Sequence, residues 1–168
     1  MSGLPRRCRA VTLPGHAPAC GDAMGFGAMT TLRRARLLVA GAAAAAVATV
    51  VLLALLTAAL VAGRGGGPAA GFGSAAFGTA DLAVGLLVLA RAGAVARTDA
   101  ARGRALCIRC SVGALFAVLT VFIAGGVAGY LTRAAAPLWG STVAGVLLIA
   151  LVGLAARQRV LLQVRAGW

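Results

Sequence analysis

Residues 37–62 read LLVAGAAAAAVATVVLLALLTAALVA, an uncharged apolar run that follows Arg33, Arg34 and Arg36. An α-helix rises 1.5 Å per residue, so about 20 residues cross a hydrocarbon layer about 30 Å thick. The run exceeds that length, whereas the apolar region of a secretory signal peptide has roughly 7–15 residues. This stretch therefore predicts a retained transmembrane helix.

Three further apolar stretches follow, at about 77–96, 110–131 and 138–156. The first of them is long enough only if it extends past Arg91 or back through the glycine-rich residues 71–76. Forward extension is favoured, because an arginine near a helix end can snorkel to the interface and glycine weakens a helix interior. Four transmembrane helices account for the apolar content.

The expected fold is therefore an all-α integral membrane protein with a four-helix transmembrane bundle over residues 37–156. A basic, disordered N-terminal tail is expected at 1–36, and a short basic C-terminal tail at 157–168. Met24 and Met29 are each a credible alternative start of the chain, because the sequence that follows Met29 resembles a normal beginning of a membrane protein.

The arginines predict how the four helices are oriented. Single arginines stand in the first and third connections, whereas several precede the first helix, fill the second connection and follow the last helix. Basic residues favour the cytoplasmic side of a membrane. Both chain ends are thus expected in the cytoplasm, and short connections make the bundle run up-down-up-down.

Composition points to lipid rather than water or nucleic acid as the main surroundings. The 168 residues are 61% hydrophobic and 11% charged, with a net charge of +13, whereas soluble domains are roughly 45–50% apolar and 25% charged. The aromatic side chains that stack on nucleic-acid bases are not interleaved with the arginines. Anionic lipid headgroups at the cytoplasmic face are the expected partner, with other membrane proteins as further partners.

Every basic side chain other than the single histidine is an arginine, and alanine and glycine are abundant. This usage indicates a GC-rich coding sequence and a bacterial source. The predicted location is the bacterial inner (cytoplasmic) membrane, as a multi-pass protein.

Asp81 is the only acidic residue in or near a predicted span. With a helix start near Thr79, its carboxylate would lie in the first helical turn, where free N–H groups and the helix dipole stabilise it. That structural role is favoured over an ion or proton site. Arg91 lies ten residues further on, about 15 Å along the same helix, so any ionic partner of Asp81 must come from another helix.

Cys107 and Cys110 flank Ile108 and Arg109 at the predicted cytoplasmic entrance of the third helix. A helix N-terminus and nearby arginines would make such thiols more acidic. The spacing resembles the dithiol of quinone-coupled membrane oxidoreductases of the DsbB and vitamin K epoxide reductase type, which implies a redox dithiol. The resemblance covers these two residues alone, and the charge pattern places them in the reducing cytoplasm rather than on the oxidising face. Structural or incidental cysteines are therefore preferred.

Cys8, His16 and Cys20 are zinc-ligand types in the N-terminal tail, on the same predicted side as the cysteine pair. Their spacing does not match a zinc site, and a start at Met24 or Met29 would remove all three. No metal and no cofactor is predicted.

Small residues four positions apart predict close helix packing. Such pairs are Gly41 with Ala45 in the first helix, Gly125 with Gly129 in the third, and Ser141 with Gly145 in the fourth. Internal packing of the bundle is favoured over a dedicated dimer face, because small residues are common throughout the chain.

The side chains in and near the predicted spans limit the class of function. With one histidine, no glutamate and no serine beside a base, the chain is not expected to be an enzyme. The predicted function is an accessory or structural component of a membrane complex. A small transporter or channel-like protein that uses Asp81 is the alternative, and a thiol oxidoreductase that uses Cys107 and Cys110 is the remote one.

Overall fold

The computed structural model describes residues 22–64 and 66–165, and the regular structure in these residues is entirely α-helical. The four helices are α1 (Asp22–Val61), α2 (Gly67–Val95), α3 (Ala100–Thr132) and α4 (Ala136–Arg165). Each contains a segment that is long and apolar enough to cross a membrane. The prediction of an all-α protein with four such helices is confirmed, and these helices indicate a membrane protein.

Three helices continue past the predicted spans at their arginine-bearing ends. α1 begins at Asp22, α3 begins at Ala100 and α4 ends at Arg165. The prediction of disorder is therefore wrong for residues 22–36, and residues 157–165 continue α4 instead of forming a tail. A charge limits how far a segment enters hydrocarbon, but arginine is a good helix former and does not end the helix.

The zinc-ligand candidates Cys8, His16 and Cys20 lie outside the described residues.

The prediction of a start near residue 77 is wrong for α2, which begins ten residues earlier, at Gly67. Pro68 lies in the first turn, where its missing N–H would have no partner in the helix. The helix also passes Arg91 and ends at Val95. Of the two glycines in residues 71–76, Gly71 packs against Ala136 of α4, whereas Gly73 meets no atom within 4 Å.

The arrangement of the helices is asymmetric. α2 contacts α1, α3 and α4, and α4 contacts α3, whereas α1 packs against α2 alone among the described helices. The core lies between α2, α3 and α4, with Leu89, Cys107 and Leu148 almost fully buried. The structure is a three-helix core with α1 on the outer side of α2.

Contacts between named residues show the direction of each helix. Thr49 of α1 pairs with Thr79 of α2, and Gly41 lies near Leu86, so α1 and α2 are antiparallel. Gly78 and Gly85 of α2 face Ala144 and Leu151 of α4 in the same order, so α2 and α4 are parallel. By the same reasoning, Gly103 lies at Ala96 and Cys110 at Gly85, which makes α3 antiparallel to α2.

A seam of small residues joins α2 to α4. Gly71, Gly78, Gly85 and Ala92 recur every seven residues along α2, and all four are buried. A Cβ atom added at Gly78 would stand only 2.7 Å from the Cα of Ala144. A seven-residue repeat keeps one face of each helix against its neighbour when two helices cross at a small angle. Small residues there let the backbones approach, and van der Waals packing drives helix association in lipid.

α1 is held by one narrow strip. Ala42 and Ala45 are buried against α2, and the hydroxyl group of Thr49 donates a 2.9 Å hydrogen bond to Oγ1 of Thr79. Thr79 in turn donates to the carbonyl oxygen of Ala76 at 3.0 Å. The rest of α1 leaves a wide apolar face without a protein neighbour in the described chain.

The seam predicts opposite outcomes for two glycines of α2. Gly78→Ala places a methyl group against the backbone of Ala144, and overpacking of this kind costs about 1–3 kcal/mol. Gly73→Ala is the matched control, because a Cβ atom there meets no atom within 4 Å and alanine favours a helix by about 0.5–1 kcal/mol. Thermal unfolding of both variants in the same detergent measures the difference. Equal midpoints would show that the seam is not a tight contact.

Candidate functional site

Asp81 lies midway along α2, between Gly67 and Val95. At a rise of 1.5 Å per residue it stands about 21 Å from each end of the helix. Its expected position in the first turn is wrong, because α2 begins at Gly67 rather than near Thr79. The free N–H groups of the helix terminus are therefore far from the carboxyl group and cannot cap it.

The neighbouring helices also pass Asp81 near their middles. The contacts of Gly78 with Ala144 and of Gly85 with Leu151 put the centre of α4 at this level. The bond from Cys110 to the carbonyl oxygen of Gly85 does the same for α3, within about one turn. Asp81 is thus close to the middle of α3 and of α4.

The carboxyl group of Asp81 is incompletely satisfied. Its Oδ2 atom is buried and has no hydrogen-bond partner among the described residues. A carboxylate only accepts hydrogen bonds, and the backbone N–H groups in the middle of a helix already bond to carbonyl oxygens. The backbone of α2 therefore supplies no hydrogen-bond donor to this side chain.

The hydroxyl groups of the spans behave differently. A hydroxyl group can donate to a carbonyl oxygen one turn earlier, which has a second lone pair. Side chains that do so are Thr57, Ser74, Thr79, Ser111, Thr120, Thr132, Ser141 and Thr142. Asp81 stands apart from this group because it needs a donor from elsewhere or a proton of its own.

Asp81 lines a cleft between α2 and α3, which we call the Asp81 cleft. Its volume is about 210 Å³, below the roughly 300 Å³ lower limit of common small-molecule pockets but ample for several water molecules. The lining residues are Asp81, Val84, Gly85 and Val88 of α2, Arg109, Cys110, Gly113, Ala114 and Ala117 of α3, and Leu148 and Leu151 of α4. One acid, one cation and one thiol thus share an otherwise apolar cleft.

Arg109 was not among the predicted site residues. The predicted third span begins at residue 110, which left Arg109 in the loop, whereas α3 begins at Ala100. Arg109 is therefore well inside the helix and lines the cleft. Arg91 is exposed on α2 and does not line it.

The two cysteines lie in different surroundings. Cys107 is 1% exposed and belongs to the core, whereas Cys110 faces the Asp81 cleft and donates to the carbonyl oxygen of Gly85 at 3.7 Å. Both thiols are free. The expected activation by a helix N-terminus is wrong, because α3 begins at Ala100, about two to three turns before them, and the dipole effect fades within the first turn.

The predicted small-residue pairs all lie at contacts within the chain. A Cβ atom at Gly41 would stand 3.3 Å from Leu86, and Ala45 of the same pair is buried. Gly125 faces Ser141, Gly129 lies near Leu138, and Gly145 lies against the ring of Phe122. These contacts join α1 to α2 and α3 to α4. The seven-residue repeat of Gly71, Gly78, Gly85 and Ala92 is the sequence signal that was missed.

One further polar contact ties α4 to α2. The side-chain amide of Gln158 donates a 2.8 Å hydrogen bond to the carbonyl oxygen of Leu89. Gly93 lies beside this amide, and a Cβ atom there would stand 3.2 Å from its nitrogen. The contact uses one of the N–H donors of Gln158 and joins α4 to the backbone of α2.

A second depression, of about 440 Å³, lies at the end of α3 and is lined by Gly129, Tyr130, Leu131 and Arg133. It is larger than the Asp81 cleft, but its lining comes from the end of a single helix and the turn after it, so it is a surface feature. No group of three or more metal-ligating side chains occurs in residues 32–64 and 66–164, whose side chains the structure describes.

Comparison with known proteins gives no match: no family model fits the chain, and no curated protein or solved structure is detectably similar to it. The fold and the site themselves define the class. It is an all-helical protein with four helices long and apolar enough to cross a membrane, which indicates a membrane protein, and with an acidic side chain midway along α2.

Proposed function

We propose that the protein is a small proton-coupled transport protein of the membrane, in which Asp81 binds and releases the proton. The observation that carries the proposal is the buried, unpartnered Oδ2 atom of Asp81 midway along α2. The transport role is preferred to the accessory role because Asp81 does not lie in the first turn of α2. That first-turn position was the reason to expect a purely structural role for its carboxylate.

Energetics support a proton as the ligand. An ionised aspartate at the centre of a membrane helix costs about 2.5–3.5 kcal/mol on insertion scales. Proton binding removes the charge and converts the carboxylate into a group that also donates a hydrogen bond. Ionisable side chains in spans commonly mark proton relays and ion pathways for this reason.

The Asp81 cleft supports exchange of that proton with water. It adjoins the carboxyl group, has room for several water molecules and carries Arg109 on α3. Its size suits water or a small ion better than a drug-sized molecule.

A hydrophobic carbodiimide tests whether Asp81 takes up a proton within the membrane. A protonated carboxyl group adds across a C=N bond of the reagent, and the product rearranges to a stable N-acylurea. We expect Asp81 of the wild-type chain to be modified at neutral pH and protected as the pH rises. Peptide mass spectrometry after treatment in vesicles measures the modified fraction.

Asp99 is the matched control within the same chain. It caps α3, accepts a 2.9 Å hydrogen bond from the N–H of Arg102 and is exposed. It should remain unmodified because a hydrophobic carbodiimide partitions into the membrane, whereas Asp99 is exposed in the connection between α2 and α3. Equal modification of Asp81 and Asp99, or none of Asp81 at any pH, would contradict the proposal.

Proton flux into vesicles should also fall to that of empty vesicles with Asp81→Asn.

We further propose that the protein resides in a bacterial inner membrane with both chain ends in the cytoplasm. The arginine distribution supports this orientation, with Arg64 and Arg133 alone at one end of the bundle and the rest of the helix-flanking arginines at the other. Anionic headgroups would then bind the arginine-rich end.

A membrane-impermeant thiol reagent tests the orientation on Arg97→Cys and Arg133→Cys, each in a chain without its native cysteines. Both positions are exposed and lie in opposite connections. In intact cells we expect modification at position 133 and protection at position 97. The reverse pattern would place the chain ends outside.

The packing of α1 favours an accessory function as the second candidate. Among the described helices, α1 contacts α2 alone, and over residues 32–61 only Ala42 and Ala45 are buried. The exposed remainder of this segment leaves room for another membrane protein. Lipid also covers such a face, which is why this candidate ranks second.

Purification of the full chain in mild detergent discriminates the two candidates. An accessory subunit should co-purify in a fixed ratio with one partner, and Val47→Trp on the exposed face of α1 should release that partner. Phe116→Trp on the exposed face of α3 is the control and should not. A monomer that carries no partner from native membranes would count against the accessory role.

A further inference from the structure

We infer that Arg109 is the internal counter-ion of ionised Asp81, so that the guanidinium group and the proton compete for one carboxylate. The inference deepens the proposed proton-binding role and rests on it. It assigns a positioning role to a residue that the Asp81 cleft brings near the acid, although the two are far apart in sequence.

Asp81 and Arg109 line the same cleft, which α2 and α3 form. The hydrogen bond from Cys110 to Gly85 sets the register of these helices. Asp81 is four residues from Gly85 and Arg109 is one residue from Cys110, so the two Cα atoms are about 7–8 Å apart along the helix axes. The long, flexible arginine side chain can cover a separation of this size.

No other cation lines the cleft and competes with Arg109 for the carboxylate of Asp81. The other helices supply no charge at this level: α4 contributes Leu148 and Leu151 to the cleft, and residues 41–49 of α1 carry no ionisable group. The only other titratable group that faces the cleft is the thiol of Cys110. On α2 itself, Arg91 stands about 15 Å from Asp81 along the axis. Arg109 is thus the one cation in the cleft lining.

Helix geometry sets the direction in which the side chains of Asp81 and Arg109 lean. Side chains in a helix lean towards its N-terminus, and α2 and α3 are antiparallel, so Asp81 and Arg109 lean away from each other. No ion pair joins Asp81 to an arginine within the described residues, and Oδ2 of Asp81 is unpartnered. This arrangement matches the protonated state, in which the arginine is free to reach the interface. Rotation of its stem towards α2 gives the paired state.

The exchange is balanced in charge. When a proton leaves Asp81 for water in the cleft, the carboxylate gains a negative charge that the guanidinium group neutralises without itself losing a proton. When a proton returns, the pair breaks and the arginine carries its charge back towards the interface. Proton binding is thereby coupled to a movement at the α2–α3 contact.

The test is the pH profile of carbodiimide modification at Asp81. An adjacent opposite charge favours the ionised carboxylate by about 1–3 pH units, so Arg109→Gln should move the midpoint of modification upwards by that amount. Arg109→Lys keeps a cation and should move it less. Arg91→Gln removes an arginine outside the cleft and is the matched control, with no shift expected.

A second measurement remains decisive if Arg109→Gln does not fold. Phenylglyoxal modifies free guanidinium groups, so at alkaline pH Arg109 should react faster in Asp81→Asn than in the wild-type chain. The inference is overturned if the Arg109→Gln midpoint matches that of Arg91→Gln, or if the phenylglyoxal rates are equal. Absence of carbodiimide modification of wild-type Asp81 at every pH would instead overturn the proton-binding role itself.

Discussion

The close contact between α2 and α4 is the constraint on which the rest of the structure depends. Lipid chains are as apolar as leucine side chains, so burial from water does not drive helices together within a bilayer. Backbone proximity must provide the packing energy, and Gly71, Gly78 and Gly85 provide that proximity on the face of α2 that meets α4. Since α2 is also the only helix that touches all the others, this contact sets the position of the whole bundle.

The same contact sets the depth of Asp81. Gly71 and Gly78 pack closely against α4, and α2 begins at Gly67, well before the acid. The carboxyl group then lies far from free N–H groups and from the interface. A carboxyl group in that position must bind a proton or pair with a cation. The cleft between α2 and α3 contains one cation, Arg109. The proposed chemistry therefore follows from packing that involves none of the reacting groups.

The four helices contribute unequally to the core. α2, α3 and α4 surround the core, with Leu89, Leu148 and Ala155 fully buried, while α1 adds Ala42 to its edge. A transport role would be carried out by the three packed helices, with α1 as a support for α2 through the Thr49–Thr79 bond. An accessory role would use α1 itself, because most of its side chains face away from the protein.

The sequence by itself determined the all-helical class and the number of helices that can cross a membrane, because run length and apolar content are local properties. It also drew attention to Asp81 and Cys110, which the fold brings into one cleft. It failed for the start of α2, since glycine has a low intrinsic helix propensity that only a close neighbour can offset. The depth of Asp81, the presence of Arg109 in the same cleft and the outer position of α1 were decided by tertiary structure alone. Each depends on which helix faces which, and the register between helices is set by the fit of their surfaces rather than by any single segment.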